Sequence, residues 1–102
     1  MYGTVARYRL KPGMERQFIE QVRVFEAASV PGTVAVYVYR LDADPNDYYI
    51  AVVFESREAY LANADSPEQD ARYRQLLPLL EREPEWHDGE IVYALQESRS
   101  RI

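Results

Sequence analysis

The sequence predicts a small α+β fold in which a four-stranded antiparallel sheet carries its helices on one face. Three observations lead to this prediction. Predicted strands and helices follow the order β-α-β-β-α-β, a short polar turn joins the two middle strands, and the first helix has one apolar face. Because strand–helix–strand crossovers are right-handed, both helical regions must lie on the same side of the sheet, which is the ferredoxin-like arrangement.

Length and composition fit one folded domain over residues 1–102. Hydrophobic residues make up 47% of the chain and charged residues 28%, which is ordinary for a globular protein. The formal net charge of −5, with both signs interspersed, argues against nucleic acid as a partner. The absence of cysteine excludes disulfides, thiolate metal sites and cysteine nucleophiles.

Targeting and membrane signals are not visible in the sequence. The first residues contain no basic region followed by an apolar one, so we expect no signal peptide. No apolar run approaches the about 18 residues that a membrane span needs. We therefore expect a soluble cytoplasmic protein with no membrane partner.

The first third of the chain predicts a strand followed by a helix. Residues 2–10 are rich in Tyr, Val and Thr and stop at the Lys-Pro-Gly breaker 11–13. The next segment, 13–28, is a predicted helix because Phe18 and Val22 belong to a set of apolar residues at helical spacing. The Val-Pro-Gly sequence that follows ends this helix.

The middle of the chain predicts a hairpin and then a short helix. Residues 33–41 and 48–55 are β-branched and aromatic throughout, and the Asp- and Asn-rich segment between them reads as a turn. Ser56 is a suitable N-cap for a helix over 57–64.

The last third predicts another helix and a final strand. Ser66 caps a helix that begins with proline, and Pro78 breaks it near Leu77 into a short final turn. Residues 90–96 are the predicted last strand, and 97–102 are expected to form a loose tail.

Both faces of the predicted sheet are apolar. In the second strand Val34, Val36 and Val38 point one way, whereas Tyr37 and Tyr39 point the other. The helices can cover only one face, and the other would span about 400 Å² and forfeit on the order of 10 kcal/mol if left in water. We therefore expect a homodimer that packs sheet to sheet. The alternative is a monomer whose Tyr hydroxyls and Arg side chains keep that face wetted.

Three segments of the chain resemble the antibiotic biosynthesis monooxygenase family. They are RLKPG at 9–13, VFESREAY at 53–60 and DSP at 65–67, and the similarity covers nearly the whole chain. The resemblance implies a dimeric α/β barrel with a ligand pocket between helices and sheet. It also implies two activities that occur in the family: oxidation of polycyclic phenols and quinols with no metal or flavin cofactor, and haem degradation.

The haem-degrading branch does not fit this sequence. In that branch, the positions of Ala6, Asn63 and Tyr73 are occupied by Asn, Trp and His. Alanine cannot form the hydrogen bond of the Asn side chain, and neither Asn63 nor Tyr73 is a usual haem iron ligand of that branch. The resemblance therefore favours the cofactor-independent branch. One departure from it is Phe54, where many members have Trp, while the sole tryptophan is Trp86.

Cofactor-free oxidation needs a group that helps to form a phenolate, an apolar pocket and a donor for reduced oxygen. Asn63 and Tyr73 are the candidate catalytic residues on the two helices that would roof such a pocket, and Tyr60 is a candidate substrate-binding residue one turn from Asn63. The plainer alternative is that both tyrosines are core residues with wet hydroxyls.

The remaining candidates lie near the last strand and on the first. His87 is a candidate general acid or base at the pocket mouth, beside Trp86, because its ordinary pKa is near neutrality. We expect Trp86 and Phe54 to bind the aromatic substrate. Arg7, together with Arg9, would bind an anionic substrate or pair with acids across the dimer interface.

No metal site is predicted, since one histidine and no cysteine make a transition-metal site improbable. Two main hypotheses remain: a cofactor-independent monooxygenase of a phenolic or quinol-type small molecule, and a homodimer that binds a small molecule or has a structural role without catalysis. An isomerase or lyase would need a proton carrier inside the pocket.

Overall fold

The computed structural model of this chain describes residues 1–95. Within them, strands and helices follow one another as β1 (Tyr2–Arg9), α1 (Glu15–Ala27), β2 (Thr33–Arg40), β3 (Asp47–Phe54), α2 (Arg57–Ala64), α3 (Pro67–Leu76) and β4 (Glu85–Glu90). The strands form one antiparallel sheet in the order β2-β3-β1-β4. The predicted ferredoxin-like fold is therefore confirmed. The loose tail predicted for 97–102 lies outside the described residues.

The prediction of the last strand was wrong. It placed the strand at 90–96, whereas β4 ends at Glu90 and pairs with β1 from Tyr2↔Glu90 to Arg7↔Glu85. The segment 91–95 has the higher strand propensity, yet the side chains of Val92 and Tyr93 are 87% and 80% exposed. Strand propensity reflects burial against neighbours, and here the pairing with β1 selects a more polar segment.

Local signals fix the helices over the sheet. The Ser56 hydroxyl accepts a hydrogen bond from the Ala59 N–H at 3.1 Å, and Ser66 does the same for Gln69 at 3.1 Å, so both predicted N-caps are confirmed. Beyond α3 the chain continues as a short 3₁₀ turn, Leu77–Leu79, which contains the helix-breaking Pro78.

Gly32 sets the distance between α2 and the end of α1. Its φ of +82° is in the left-handed region, and a Cβ atom there would lie 2.6 Å from the Cβ of Ala59. Its carbonyl accepts a hydrogen bond from Glu55 N–H at 2.8 Å, which ties the α1–β2 turn to the end of β3. Glycine is therefore needed both for the turn and for the close approach of α2.

The core lies between α1 and the sheet. Its largest buried side chains include Phe18 of α1 and Tyr48 of β3, whose ring centroids are 5.4 Å apart, and Tyr8 of β1 packs against the edge of Phe18 at 5.6 Å. This packing fills the space under α1. Towards α2 and α3 the same face of the sheet remains partly uncovered and forms a cavity.

The opposite face of the sheet is open to solvent. Val5, Tyr37 and Tyr39 project from it and are 46%, 59% and 64% exposed. Val34 was predicted to point the same way as Val36, but the strand pairing shifts register between Thr33 and Ala35, and Val34 is 52% exposed. The apolar character predicted for the uncovered face is thus present in the structure.

Within residues 1–95, none of the helices combines the length and the apolar character that crossing a bilayer requires.

Candidate functional site

A cavity of about 500 Å³ lies between the sheet and the three helices. Its floor is the helix-facing side of all four strands, and its walls come from one face of each helix. This size is in the range of small-molecule sites, and its lining is mainly apolar with a few polar groups, as such sites require. The polar or ionisable side chains that line it are Thr4, Tyr8, Gln21, Tyr60, Asn63, Gln69, Asp70, Arg72, Tyr73, Trp86 and Asp88.

Aromatic rings line the cavity in two groups of contacting side chains. The Trp86 ring meets the Tyr8 ring edge-on at 5.8 Å between centroids and lies 6.1 Å from the ring of Tyr73. Farther along, Phe54 packs edge-on against Tyr60 at 5.7 Å. Rings in these arrangements hold one another in place and leave flat apolar surface for an aromatic ligand.

Tyr60 and Asp88 form a hydrogen-bonded pair at the β4 side of the cavity. The Tyr60 hydroxyl donates to Asp88 Oδ1 at 2.7 Å. Burial, followed by this carboxylate, raises the pKa of the Tyr60 hydroxyl above its ordinary value, so Tyr60 stays protonated. Asp88 pairs in register with Thr4 of β1, whose buried Oγ1 has no hydrogen-bond partner in the described structure. The site thus has a fixed phenol, a carboxylate and a free hydroxyl.

Asn63, Gln69 and Arg72 form a second polar group where α2 meets α3. Asn63 Nδ2 donates to Gln69 Oε1 at 3.3 Å, and Arg72 donates from Nε to Gln69 Oε1 at 3.1 Å and from Nη2 to Asn63 Oδ1 at 3.0 Å. Both Gln69 and Arg72 belong to α3, which begins after the Ser66 cap. They are three residues apart and therefore share one face of that helix. This group places a positive charge in the cavity wall.

Five of the seven predicted site residues line this one cavity. Asn63 and Tyr73, predicted as catalytic, lie in its wall together with the predicted substrate-binding residues Tyr60, Phe54 and Trp86. Burial raises the pKa of the Tyr73 hydroxyl, with a smaller contribution from the charge of Glu83, which is outside the lining.

The predicted position of His87 at the pocket mouth is wrong. His87 lies within β4 rather than in a loop, opposite Val5, and it does not line the cavity. Side chains alternate along a strand, so Trp86 and Asp88 face the helices and His87 faces the open side of the sheet. The error follows from placing the last strand too late in the chain.

Arg7 also lies on the open face and does not line the cavity, so the structure does not bring it together with the other predicted substrate-binding residues. Its Nη2 donates to Asp47 Oδ2 at 3.2 Å, and this hydrogen bond raises the pKa of the Arg7 guanidinium. Arg9 binds Asp44 and Glu81 in the same way. The acids that pair with these arginines belong to the same chain.

The sequence analysis missed Asp88, Arg72 and Gln69. Asp88 would have been found two residues after Trp86 if the last strand had been placed correctly, because residues i and i+2 of a strand share a face. Arg72 and Gln69 gave no comparable signal, since polar residues on a helix usually face water. Their inward position depends on the packing of α3 against α1.

Within residues 1–95, no three His, Asp or Glu side chains come together as a metal site requires. The polar groups of the cavity, two carboxylates, three amides, hydroxyls and one guanidinium, are suited to binding and orienting an organic molecule by hydrogen bonds.

No curated protein sequence matches this chain. Among solved structures, a variant of SnoaB, a cofactor-independent oxygenase from Streptomyces nogalater, is 19% identical with a TM-score of 0.80, over 94% of this chain and 97% of that one. A protein from Chloroflexus aurantiacus described as a putative antibiotic biosynthesis monooxygenase is 26% identical with a TM-score of 0.75, over 93% and 96%. A protein of the same description from Caulobacter crescentus is 18% identical with a TM-score of 0.78, over 90% of each chain.

The family model of the antibiotic biosynthesis monooxygenases matches residues 1–75. The matched segment contains Tyr60, Asn63, Arg72 and Tyr73, and it ends before the strand that carries Asp88. The sequence resemblance is thereby confirmed: this chain belongs to the antibiotic biosynthesis monooxygenase family.

Proposed function

We propose that this chain is a cofactor-independent monooxygenase that oxidises a phenolic or quinol-type aromatic small molecule. The observation that carries the proposal is the aromatic-walled cavity, in which the Tyr60–Asp88 pair and the Asn63–Gln69–Arg72 group flank the same space. The family includes cofactor-independent oxygenases such as SnoaB, which supports the reaction type.

The reaction begins with removal of the phenolic proton. Asp88 is the acceptor, because its carboxylate is held by Tyr60 and faces the cavity. Tyr60 cannot take this proton, since the raised pKa of its hydroxyl keeps it protonated. The resulting phenolate has the electron-rich ring carbon that reacts with oxygen, and the positive charge of Arg72 in the same cavity stabilises the anion.

Oxygen then accepts electrons from the phenolate. One electron passes to O₂, and the superoxide and the ring radical combine to a peroxide at a ring carbon that bears hydrogen. Loss of that hydrogen with cleavage of the O–O bond gives the quinone carbonyl and one water, so phenol and O₂ yield quinone and H₂O. Asn63, through its second N–H, and Tyr73, through its protonated hydroxyl, donate hydrogen bonds to the reduced oxygen.

Oxygen uptake with a panel of naphthohydroquinones and hydroxylated anthrones tests the proposal. The protein is treated with chelator first, and the rate is compared with autoxidation in its absence. We expect uptake above background that falls on the order of 10²-fold in Asn63→Ala, through loss of a donor to the developing charge. Gln75→Ala, an exposed position of α3 outside the cavity, is the matched control and keeps the rate. Uptake equal to autoxidation for every compound would refute the proposal.

A binding protein without catalysis is the second candidate. The observation that favours it is that Asn63, the proposed donor to reduced oxygen, is already hydrogen-bonded to Gln69 and Arg72. Tight binding of aromatic compounds with no oxygen uptake would support this alternative.

We also propose that two copies pair through the open face of the sheet. Exposed Val5, Tyr37 and Tyr39 on that face support the pairing, because a second copy would remove them from water. The arginines beside them are already paired with Asp47 and Asp44, so their charge is compensated before association.

A further inference from the structure

Arg72 places a positive charge in the cavity wall without an acidic partner. Its side chain is half-buried, and its guanidinium lies over the ring of Phe25, 5.6 Å from the centroid. Its two hydrogen bonds go to the amide oxygens of Gln69 and Asn63, which are neutral. These contacts fix the orientation of the guanidinium but do not balance its charge.

The nearby carboxylates do not supply the missing negative charge. Asp70 lines the cavity but pairs with Arg74 at 3.0 Å, and Asp88 accepts the hydrogen bond of Tyr60. Glu55 and Glu68 line a neighbouring cleft, and Arg72 lines both this cleft and the cavity. In the part of the chain that the structure describes, none of these acids forms an ion pair with Arg72.

Arg72 retains donors for a ligand. A guanidinium has five N–H groups in a planar fork, and the contacts with Gln69 and Asn63 use two of them. A half-buried charge without a counter-ion is unfavourable, and a planar anion that binds the free edge would relieve this cost. A ligand carboxylate has the matching geometry.

We propose that the substrate carries a carboxylate on its aromatic skeleton, which Arg72 binds while the phenolic hydroxyl meets Asp88. Arg72 and Asp88 both line this cavity, and their hydrogen-bond partners Asn63 and Tyr60 lie one turn apart on α2. The role of the hydroxyl rests on the proposed function, whereas the binding of the carboxylate does not. The substrate class is therefore a hydroxylated aromatic acid.

Calorimetric titration with two matched probes tests this proposal. The first is 6-hydroxy-2-naphthoate, and the second is 6-acetyl-2-naphthol, which replaces one carboxylate oxygen by a methyl group and removes the charge. We expect the acid to bind at least about tenfold more tightly than the ketone, as hydrogen bonds to a charged group usually provide. The net charge of −5 would by itself favour the ketone, so a preference for the acid must come from a local cation.

Three variants identify the cation. Arg72→Met should bring the acid and ketone affinities together, and Arg72→Lys should keep the charge but lose most of the preference, because the fork is gone. Gln75→Ala is the control on the same helix and should keep the preference for the acid. Circular dichroism and an unchanged ketone affinity show that a variant is folded; if Arg72→Met does not fold, Arg72→Lys decides.

Equal affinities for acid and ketone in the unaltered protein would overturn the proposal. A preference for the acid that survives in Arg72→Met would also overturn it. If Arg72→Met does not fold, the same preference surviving in Arg72→Lys would do so. Failure of both probes to bind would also overturn it. Acid binding without oxygen uptake would contradict the oxidation and leave the anion site in place. Oxygen uptake with neutral quinols, together with equal affinities for the two probes, would support the oxidation and contradict the anion site.

Discussion

The hydroxyl of Tyr60 on α2 and the carboxylate of Asp88 on β4 lie 2.7 Å apart at the β4 side of the cavity. This pair joins the helix that carries Asn63 to the strand that carries Trp86, so it connects the candidate donors with the aromatic wall. The raised pKa keeps the proton on Tyr60, so the proposed mechanism uses Asp88 as the proton acceptor of the pair.

Replacing Asp88 by Asn should lower kcat on the order of 10²-fold or more, because an amide cannot accept the phenolic proton. Glu90→Gln makes the same charge change two residues along β4, outside the cavity lining, and should leave kcat within about twofold of the unaltered value. Steady-state oxygen uptake measures both. An Asp88→Asn variant as fast as the unaltered protein would remove Asp88 from the mechanism.

Gly32 and Gly13 provide a matched pair for the packing of α2. Both have φ of +82°, but a Cβ atom at Gly13 meets open space, whereas one at Gly32 would lie 2.6 Å from the Cβ of Ala59. Gly13→Ala should therefore cost about 1 kcal/mol, and Gly32→Ala about 1–3 kcal/mol more, because α2 must shift. Urea unfolding measures both free energies, and equal costs would contradict the close approach of α2.

The stability of the fold should fall at alkaline pH through Tyr8. Its ring is 6% exposed, and burial raises the pKa of its hydroxyl, with smaller contributions from Tyr73 and Tyr60. Below about pH 10 the hydroxyl is neutral in both states and the stabilisation is complete. Above that pH the unfolded chain ionises first, so the free energy of unfolding falls as pH rises towards the folded-state pKa.

Tyr8→Phe should remove part of this decline, because phenylalanine does not ionise. Tyr93→Phe is the control, since its ring is 80% exposed. Thermal unfolding followed by circular dichroism between about pH 9 and 11 compares the slopes of Tm against pH, around the ordinary tyrosine pKa. Identical slopes for Tyr8→Phe and the unaltered protein would show that Tyr8 ionises as freely when folded as when unfolded.

The open face of the sheet predicts the assembly state. Light scattering should give a mass near twice the 11.9 kDa of one chain. Tyr37→Glu with Tyr39→Glu should shift the protein to single copies, because four negative charges would face one another in a desolvated contact. Gln17→Glu with Gln75→Glu adds the same charge at exposed helix positions and should keep the dimer. A stable single copy of the unaltered chain would refute the pairing.

Local signals allowed most of the fold to be predicted from the sequence. The helix expected over 57–64 is found at Arg57–Ala64, because the Ser56 cap and the Asp-Ser-Pro sequence after it act on adjacent residues. The last strand could not be predicted in this way. Its position depends on pairing with β1, between Tyr2↔Glu90 and Arg7↔Glu85 and thus far apart along the chain, and that pairing brings Trp86 over the cavity.

In the candidate site, too, the residues placed by local signals were predicted and those placed by long-range packing mostly were not. Tyr60, Asn63 and Tyr73 were predicted because the helices and the family motifs were placed correctly. His87 was placed at the pocket mouth because the last strand was predicted to begin after it, whereas inside β4 it faces away from the cavity. Arg72 was missed because only the packing of α3 against Phe25 turns it towards the cavity.

Isotope labelling tests the central claim most directly. The chelator-treated protein is given a hydroxylated anthrone under ¹⁸O₂, and the anthraquinone product is examined by mass spectrometry, beside reactions with no protein and with Asn63→Ala. The account predicts enzyme-dependent product with one ¹⁸O atom per molecule and much less of it with the variant. Product that forms no faster with the protein than without it, or whose new oxygen comes from water, would contradict it.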